Sequence, residues 1–226
     1  MKRYTNYLPF HLFLSVVITS FLFSCGNMAT KKPAEINIIK TKDEISRDSI
    51  NKKEELIVFG SMRFGMSNAE FEKSKNEFME KCKVYYGDCK GCYQRKIGDY
   101  EFLRIYGYFY KEKLYYVKIS GKSIGYEVYD NNMKIEYDGL FNVLKNKYGY
   151  PTDNLGFPSW ASISDGERSG TTVWLMGDKT IIMSMECKDN SYKLNLIIHQ
   201  PSISELIEKE HEIKKQNAIK KGVDVL

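Results

Sequence analysis

The chain has 226 residues, 34 Lys and Arg against 29 Asp and Glu, a net charge of +5, and 42% hydrophobic and 14% aromatic residues. That balance excludes a disordered charged tail, a collagen-like repeat and a multi-span membrane protein, and it suits one globular domain with appendages. Two of the positive charges, Lys2 and Arg3, lie at the extreme N-terminus, and the excess that remains is too small to indicate a nucleic-acid partner.

Residues 1–24 read as a signal peptide. Lys2 and Arg3 form a basic start, and residues 8–23 are almost wholly apolar. As a helix that run reaches about 24 Å, short of a hydrocarbon core of about 30 Å. An export signal fits this length better than a permanent span. The run ends in Leu22, Phe23, Ser24, Cys25 and Gly26. This resembles the lipobox of bacterial lipoproteins, in which a Leu stands three residues before a Cys flanked by small residues. The resemblance implies that the Cys25 thiol receives diacylglycerol, that the chain is cut before it, and that the new amine takes a fatty acyl group such as palmitate. The protein would then be exported and anchored by lipid in the bacterial cell envelope, with the outer membrane the expected membrane. At about 0.8 kcal/mol per buried CH₂, two or three chains hold far more firmly than one. The alternative is an ordinary secretory signal in which Cys25 is incidental.

Residues 25–53 carry the charge run Lys40, Lys42, Asp43, Glu44, Arg47, Asp48, Lys52 and Lys53, with only Ile36, Ile38 and Ile39 as an apolar cluster. Such a segment cannot bury enough surface to offset chain entropy, so it reads as a flexible tether. Extended at about 3.3 Å per residue it would reach roughly 90 Å.

The globular domain is expected over 54–201. Residues 56–59 form a short apolar strand. Ser67 to Glu70 is a capping box, with Met66 and Phe71 as its hydrophobic staple, so a helix is predicted over 68–83 with Phe71, Phe78, Met79 and Cys82 on its buried stripe. In 100–110, alternation places Leu103, Ile105 and Phe109 on one face and Tyr106, Tyr108 and Tyr110 on the other. Lys111 and Glu112 turn the chain into a strand over 113–119, where Tyr115, Val117 and Ile119 alternate with Leu114, Tyr116 and Lys118. Tyr137, Leu140, Phe141, Leu144 and Tyr148 then recur at helical spacing, ended by Gly149 and Pro151. Strands are predicted over 160–164, 172–176, 180–187 and 192–199, with turns at Gly177 and Asp178 and at Asp189 and Asn190.

The order is a helix followed by three or four antiparallel strands, twice, which argues for an α+β fold with helices packed on one face of an antiparallel sheet. Residues 202–226 form a C-terminal helix and tail. Ser202 to Glu205 is a second capping box, Glu205 pairs with Lys209 and Glu210 with Lys214, and Ile203, Leu206, Ile207 and Ile213 give a stripe expected to dock on the domain.

Phe64, Gly65, Met66, Ser67 and Glu70 together resemble the glycine–methionine–Ser/Thr helix start of small outer-membrane assembly lipoproteins. Helix-plus-strand repeats of similar order occur in β-lactamase-inhibitory proteins. The resemblance implies a non-enzymatic protein-binding module, with an envelope protein as partner.

The chemistry-bearing residues are few. With Cys25 lipidated, Cys82, Cys89, Cys92 and Cys187 remain. Cys89 and Cys92 form a CxxC, which admits an exported thiol–disulfide oxidoreductase, a local structural disulfide, or free thiols in a tight turn. Redox catalysis would want the first Cys at a helix N-terminus, whereas the flanking residues read as loop and strand and Asp88 would raise a neighbouring thiol. Cys82 and Cys187 could pair, since helix stripe and sheet face should meet. Zinc would need all four thiols brought together. His199 and His211 have no recognisable nucleophile context, Asp165 and Glu167 sit in what reads as a solvated loop, and no GxSxG, HExxH, P-loop or GxGxxG pattern occurs. The reading is therefore a protein without catalytic residues, cofactor or metal. Tyr106, Tyr108, Tyr110 and Tyr116, with Arg104 and Lys118 beside them, are the candidate binding surface, since stiff amphipathic tyrosines make good contact area. The alternative is that they merely cover a half-exposed sheet.

Overall fold

A computed structural model describes residues 54–87 and 91–223 of the chain. The expected signal peptide and tether, with Cys25, lie outside the described residues, as does Cys89.

The fold is α+β, built on a large antiparallel sheet. A small hairpin comes first, β1 (Ile57–Phe59) and β2 (Met62–Arg63). Helix α1 (Asn68–Lys81) comes next. Its start is the capping box expected from sequence: Ser67 Oγ accepts from the Glu70 amide and Glu70 Oε2 accepts from the Ser67 amide at 2.8 Å. Four strands complete the first half, β3 (Lys83–Tyr85), β4 (Tyr93–Ile97), β5 (Tyr100–Tyr110) and β6 (Lys113–Gly121).

After the short strand β7 (Ile124–Gly125), the second half repeats the order. Helix α2 (Lys134–Tyr148) ends at Gly149, whose φ of 81° suits the left-handed region that glycine tolerates. Then come β8 (Asp153–Asn154), β9 (Arg168–Met176), β10 (Lys179–Lys188) and β11 (Ser191–His199). Helix α3 (Pro201–Val223) closes the described chain.

The strands run across the sheet in the order β3-β4-β5-β6-β11-β10-β9-β8. The last strand of each half therefore meets the last strand of the other, antiparallel, at the centre. This is the arrangement a local twofold would give. Where the β6–β11 ladder stops at Ser120 and Asn195, Tyr100 enters from below, and its hydroxyl donates to the carbonyls of Ile119 (3.1 Å) and Leu194 (2.9 Å). Gly121 leaves the room: a Cβ there would lie 2.9 Å from the Tyr100 ring. At the margins, β3 and β8 are only three and two residues long, which limits the exposed edge available for pairing.

Helices α1 and α2 share one face of the sheet. The core between them and the strands holds Phe71, Phe102, Ile105, Val117, Ile119, Leu140, Leu144, Trp174, Met183, Met185, Leu194 and Leu196. At Gly107 the helix comes close, and a Cβ would stand 2.6 Å from Phe71 Cε1.

Three bulges alter the faces expected from alternation. In β5 the register slips between Phe102 and Arg104, so Phe102 is buried and Leu103 is exposed. In β6 the slip at Tyr115 turns Leu114 inward beside Val117 and Ile119. In β9 Thr171 is the extra residue and donates its hydroxyl to the Met183 carbonyl. Each extra residue switches the faces taken by the side chains on its C-terminal side.

The strand expected over 160–164 is instead a single 3₁₀ turn, Trp160–Ser162. The Ser162 amide and hydroxyl both bond the Ser159 carbonyl, a local satisfaction of the backbone that competes with strand pairing.

The second capping box does not form. Helix α3 begins at Pro201, a favoured first position, and the amide and hydroxyl of Ser202 donate to the Asp178 carboxylate in the β9–β10 turn. Nor does Glu210 pair with Lys214. It accepts from the Tyr110 hydroxyl and lies 3.8 Å from Lys111. Ile203 and Ile207 are half-buried, but Leu206 and Ile213 are exposed, so only the first three turns of α3 dock.

Candidate functional site

The face of the sheet opposite α1 and α2 meets α3 at its margin, where Ser204 Oγ lies 3.2 Å from His199 Nδ1 and Glu210 accepts from the Tyr110 hydroxyl. Register across β5, β6, β11, β10 and β9 assembles this face into rows. The first reads Tyr108, Tyr116, His199, Thr180, Leu175. The second reads Tyr106, Lys118, Ile197, Ile182, Val173. The third reads Arg104, Ser120, Asn195, Ser184, Gly170. Lys193, Glu186 and Arg168 lie beyond it.

Three of the four expected tyrosines belong to this face. Tyr106 is 39% and Tyr108 47% exposed. Tyr116 is half-buried, with its ring edge-on to Tyr108 at 5.0 Å and tilted to His199 at 5.9 Å. Burial raises the Tyr116 pKa and lowers that of His199, so both are neutral near pH 7. Tyr110 departs from expectation. Its hydroxyl is taken by Glu210 and its ring is covered by Lys111 Nζ at 4.7 Å, so it serves the docking of α3 rather than the open face.

The polar centre of the face is not evident as a unit in the sequence. Glu186 Oε2 accepts from Lys118 Nζ at 3.0 Å, Asn195 Nδ2 at 3.2 Å and Arg168 Nη2 at 3.4 Å. Burial pushes the Glu186 carboxyl up, but Lys118 and Arg168 together outweigh it and hold its pKa below the usual carboxylate value. Beside it, Asn195 and Ser184 stand opposite each other, both buried, and Asn195 Oδ1 and Ser184 Oγ have no hydrogen-bond partner among the described residues. The sequence signal is the alternation of Thr180, Ile182, Ser184 and Glu186 with apolar neighbours. What joins them to Lys118 and Arg168 is register, which the sequence does not display.

Cys92 is disulfide-bonded. It directly precedes β4, so its setting is a strand start rather than a helix N-terminus. Cys82 and Cys187 are both free thiols, which overturns a Cys82–Cys187 bridge. Cys187 is buried in the core, and burial raises the Cys82 thiol pKa. Among the described residues no three His, Cys, Asp or Glu side chains come together as a metal site. Asp165 bonds the Asp189 amide at 2.6 Å, placing it and Glu167 in a loop strapped to the β10–β11 hairpin.

Two other polar clusters emerge. Lys122 Nζ bridges Glu101 (2.8 Å) and Glu136 (3.1 Å), and Glu136 is 4% exposed, its Oε2 lacking a partner among the described residues. Burial lifts the Glu136 pKa to about 7, against the opposing pull of Lys122. Lys179, fully buried, donates to the carbonyls of Glu54 (2.8 Å) and Ile57 (3.2 Å) and faces the Tyr148 ring at 5.0 Å. A cavity of about 320 Å³ opens between the β5–β6 turn and α3, lined by Tyr110, Lys111, Leu114, Tyr115, Gln200 and Ile203 among others. None of these joins a nucleophile to a base.

Comparison with protein-family models, curated proteins and solved structures gives no match. Among the described residues no helix is long and apolar enough to cross a membrane.

Proposed function

We propose that the chain is an exported lipoprotein, anchored through Cys25 in the bacterial cell envelope, whose sheet face binds an envelope protein without catalysis. The observation that carries the binding reading is the outward face itself: Tyr106 and Tyr108 stand exposed on a rigid sheet beside Arg104, with no described helix over them. Aromatic side chains with few rotatable bonds gain contact area at low entropic cost. The lipobox-like Leu22 to Gly26 carries the anchoring reading.

Tyr108→Ala tests the binding reading. Its ring packs on Tyr116 and not in the core, so the substituted protein keeps its melting temperature while capture of its envelope partner is lost. Capture undiminished by Tyr108→Ala refutes the reading. Intact mass tests the anchor, which requires residues 25–226 plus acyl chains in membrane-extracted protein.

The second reading is a thiol–disulfide oxidoreductase using Cys89 and Cys92. What favours it is the disulfide at Cys92. Insulin reduction that disappears in Cys89→Ser would establish it, and absence of that activity in the unsubstituted protein would remove it. A structural bridge between Cys89 and Cys92 is the form consistent with a binding protein.

A further inference from the structure

The outward face has an imbalance of charge that points to the chemistry of its partner. Within its rows the cations are Arg104, Lys118, Lys193 and Arg168, and Glu186 is the acid among them. Lys118 and Arg168 already share that carboxylate. Arg104 Nη1 donates to the Tyr106 hydroxyl at 3.5 Å, and neither Arg104 nor Lys193 has a carboxylate partner among the described residues.

Arg104 on β5 stands level with Ser120 and Asn195, and Lys193 lies two residues further along β11. The two positions are two strands apart (about 10 Å) and two residues out of line along them (about 7 Å), so about 12 Å separates them, a gap that about four residues of extended chain span. Two unpaired cations are too few to follow a phosphodiester backbone, for which a protein commonly neutralises roughly six to ten phosphates. They match carboxylates on a peptide, and the tyrosines beside Arg104 supply the contact area that a peptide buries.

We infer that the partner presents an acidic segment to this face, its carboxylates pairing with Arg104 and Lys193. The inference rests on the reading of this face as the binding surface and adds the sign and spacing of the charges that fit it. Opposite charge across an interface speeds encounter and rejects wrong partners, and salt weakens it.

The probes are two labelled twelve-residue peptides, one alternating Glu and Ser and the other Lys and Ser, titrated by fluorescence anisotropy into the full chain in detergent. The Glu–Ser peptide binds and the Lys–Ser peptide does not. Affinity for the Glu–Ser peptide falls on the order of tenfold between 50 and 300 mM NaCl. Arg104→Glu with Lys193→Glu weakens it by a similar factor or more. Lys73→Glu with Lys215→Glu, which makes the same change in net charge elsewhere on the exposed surface, leaves it unchanged. Arg104→Gln with Lys193→Gln repeats the loss without adding repulsion, and thermal melts confirm that each variant is folded.

Equal binding of the two peptides, no binding of the Glu–Ser peptide, or equal weakening by the two double substitutions overturns the inference. Partner capture that depends on Tyr108 alongside any of those results leaves the binding face standing and removes its acidic partner. Peptide binding that needs Arg104 and Lys193 while Tyr108→Ala leaves partner capture intact upholds the acidic site and removes the tyrosine face.

Discussion

Glu136 should make this protein less stable as pH rises from acid to neutral, by an amount the structure sets. Its carboxyl is nearly inaccessible, lies 3.1 Å from Lys122, and is flanked by Glu101, Lys96 and the buried Tyr100 hydroxyl. Burial dominates, and the pKa rises from 4.5 to about 7. The folded protein thus holds this proton more tightly than the unfolded chain does. The resulting stabilisation is complete below pH 4.5 and is lost as pH climbs through 7. At about 1.4 kcal/mol per pKa unit, the loss amounts to about 3 kcal/mol between pH 4 and pH 8.

Other groups titrate in the same range, and His199 acts in the opposite direction. Its lowered pKa means that stability rises as pH passes upward through 6.5. The comparison that isolates Glu136 is therefore wild type against Glu136→Gln, since His199 is common to both. Gln mimics the protonated acid, so the two proteins should unfold at similar urea concentrations at pH 4. At pH 8 the Gln variant should be the more stable by up to about 3 kcal/mol. A stability difference that stays flat from pH 4 to 8 would refute the assignment of a buried, proton-holding carboxyl.

Further expectations concern packing, a buried lysine and the thiols. Gly107→Val should cost about 1–3 kcal/mol, because Phe71 and Leu114 already occupy the space a side chain needs; an unchanged urea midpoint would contradict that close approach. Lys179→Met removes the donor shared by the Glu54 and Ile57 carbonyls, an effect of about 1–3 kcal/mol. Faster amide exchange in Ile57–Phe59 should report it, and unaltered exchange there would show the contact to be idle. Native-state alkylation should modify Cys82 slowly and Cys187 only after unfolding, since Cys187 is buried in the core and Cys82 is partly accessible. Rapid labelling of Cys187 in the folded protein would count against its placement.

What is legible in the sequence is local. The start of α1 needs only Ser67 and Glu70, three residues apart, and both reciprocal bonds form. The hairpin turns expected at Lys111 and Glu112 and at Asp189 and Asn190 are present, and all four residues take positive φ. The doubled order of helix and strands is visible because each helix carries its own apolar spacing. Bulges are not visible. One extra residue at Leu103, Tyr115 or Thr171 leaves composition unchanged yet reverses which side chains face the core.

Long-range partners are equally hidden. Tyr110 fits the outward alternation of β5, but a glutamate one hundred residues later takes its hydroxyl. The same Glu210 is expected from spacing to pair within its helix, where the i,i+4 contribution is only a few tenths of a kcal/mol. The polar centre of the proposed binding face depends on registers among five strands. Sequence could point to Tyr106 and Tyr108, but not to Glu186 or Asn195 beside them.

The most direct test of the proposed binding face is photo-cross-linking from position 108 in the native host cells. A benzophenone-bearing residue replaces Tyr108 in one protein and, as a control on the opposite layer, Lys73 of α1 in another. The binding reading predicts a discrete cross-linked protein from position 108, abolished by Arg104→Glu with Lys193→Glu, and none from position 73. No adduct from position 108, or the same adduct from both positions, would contradict it.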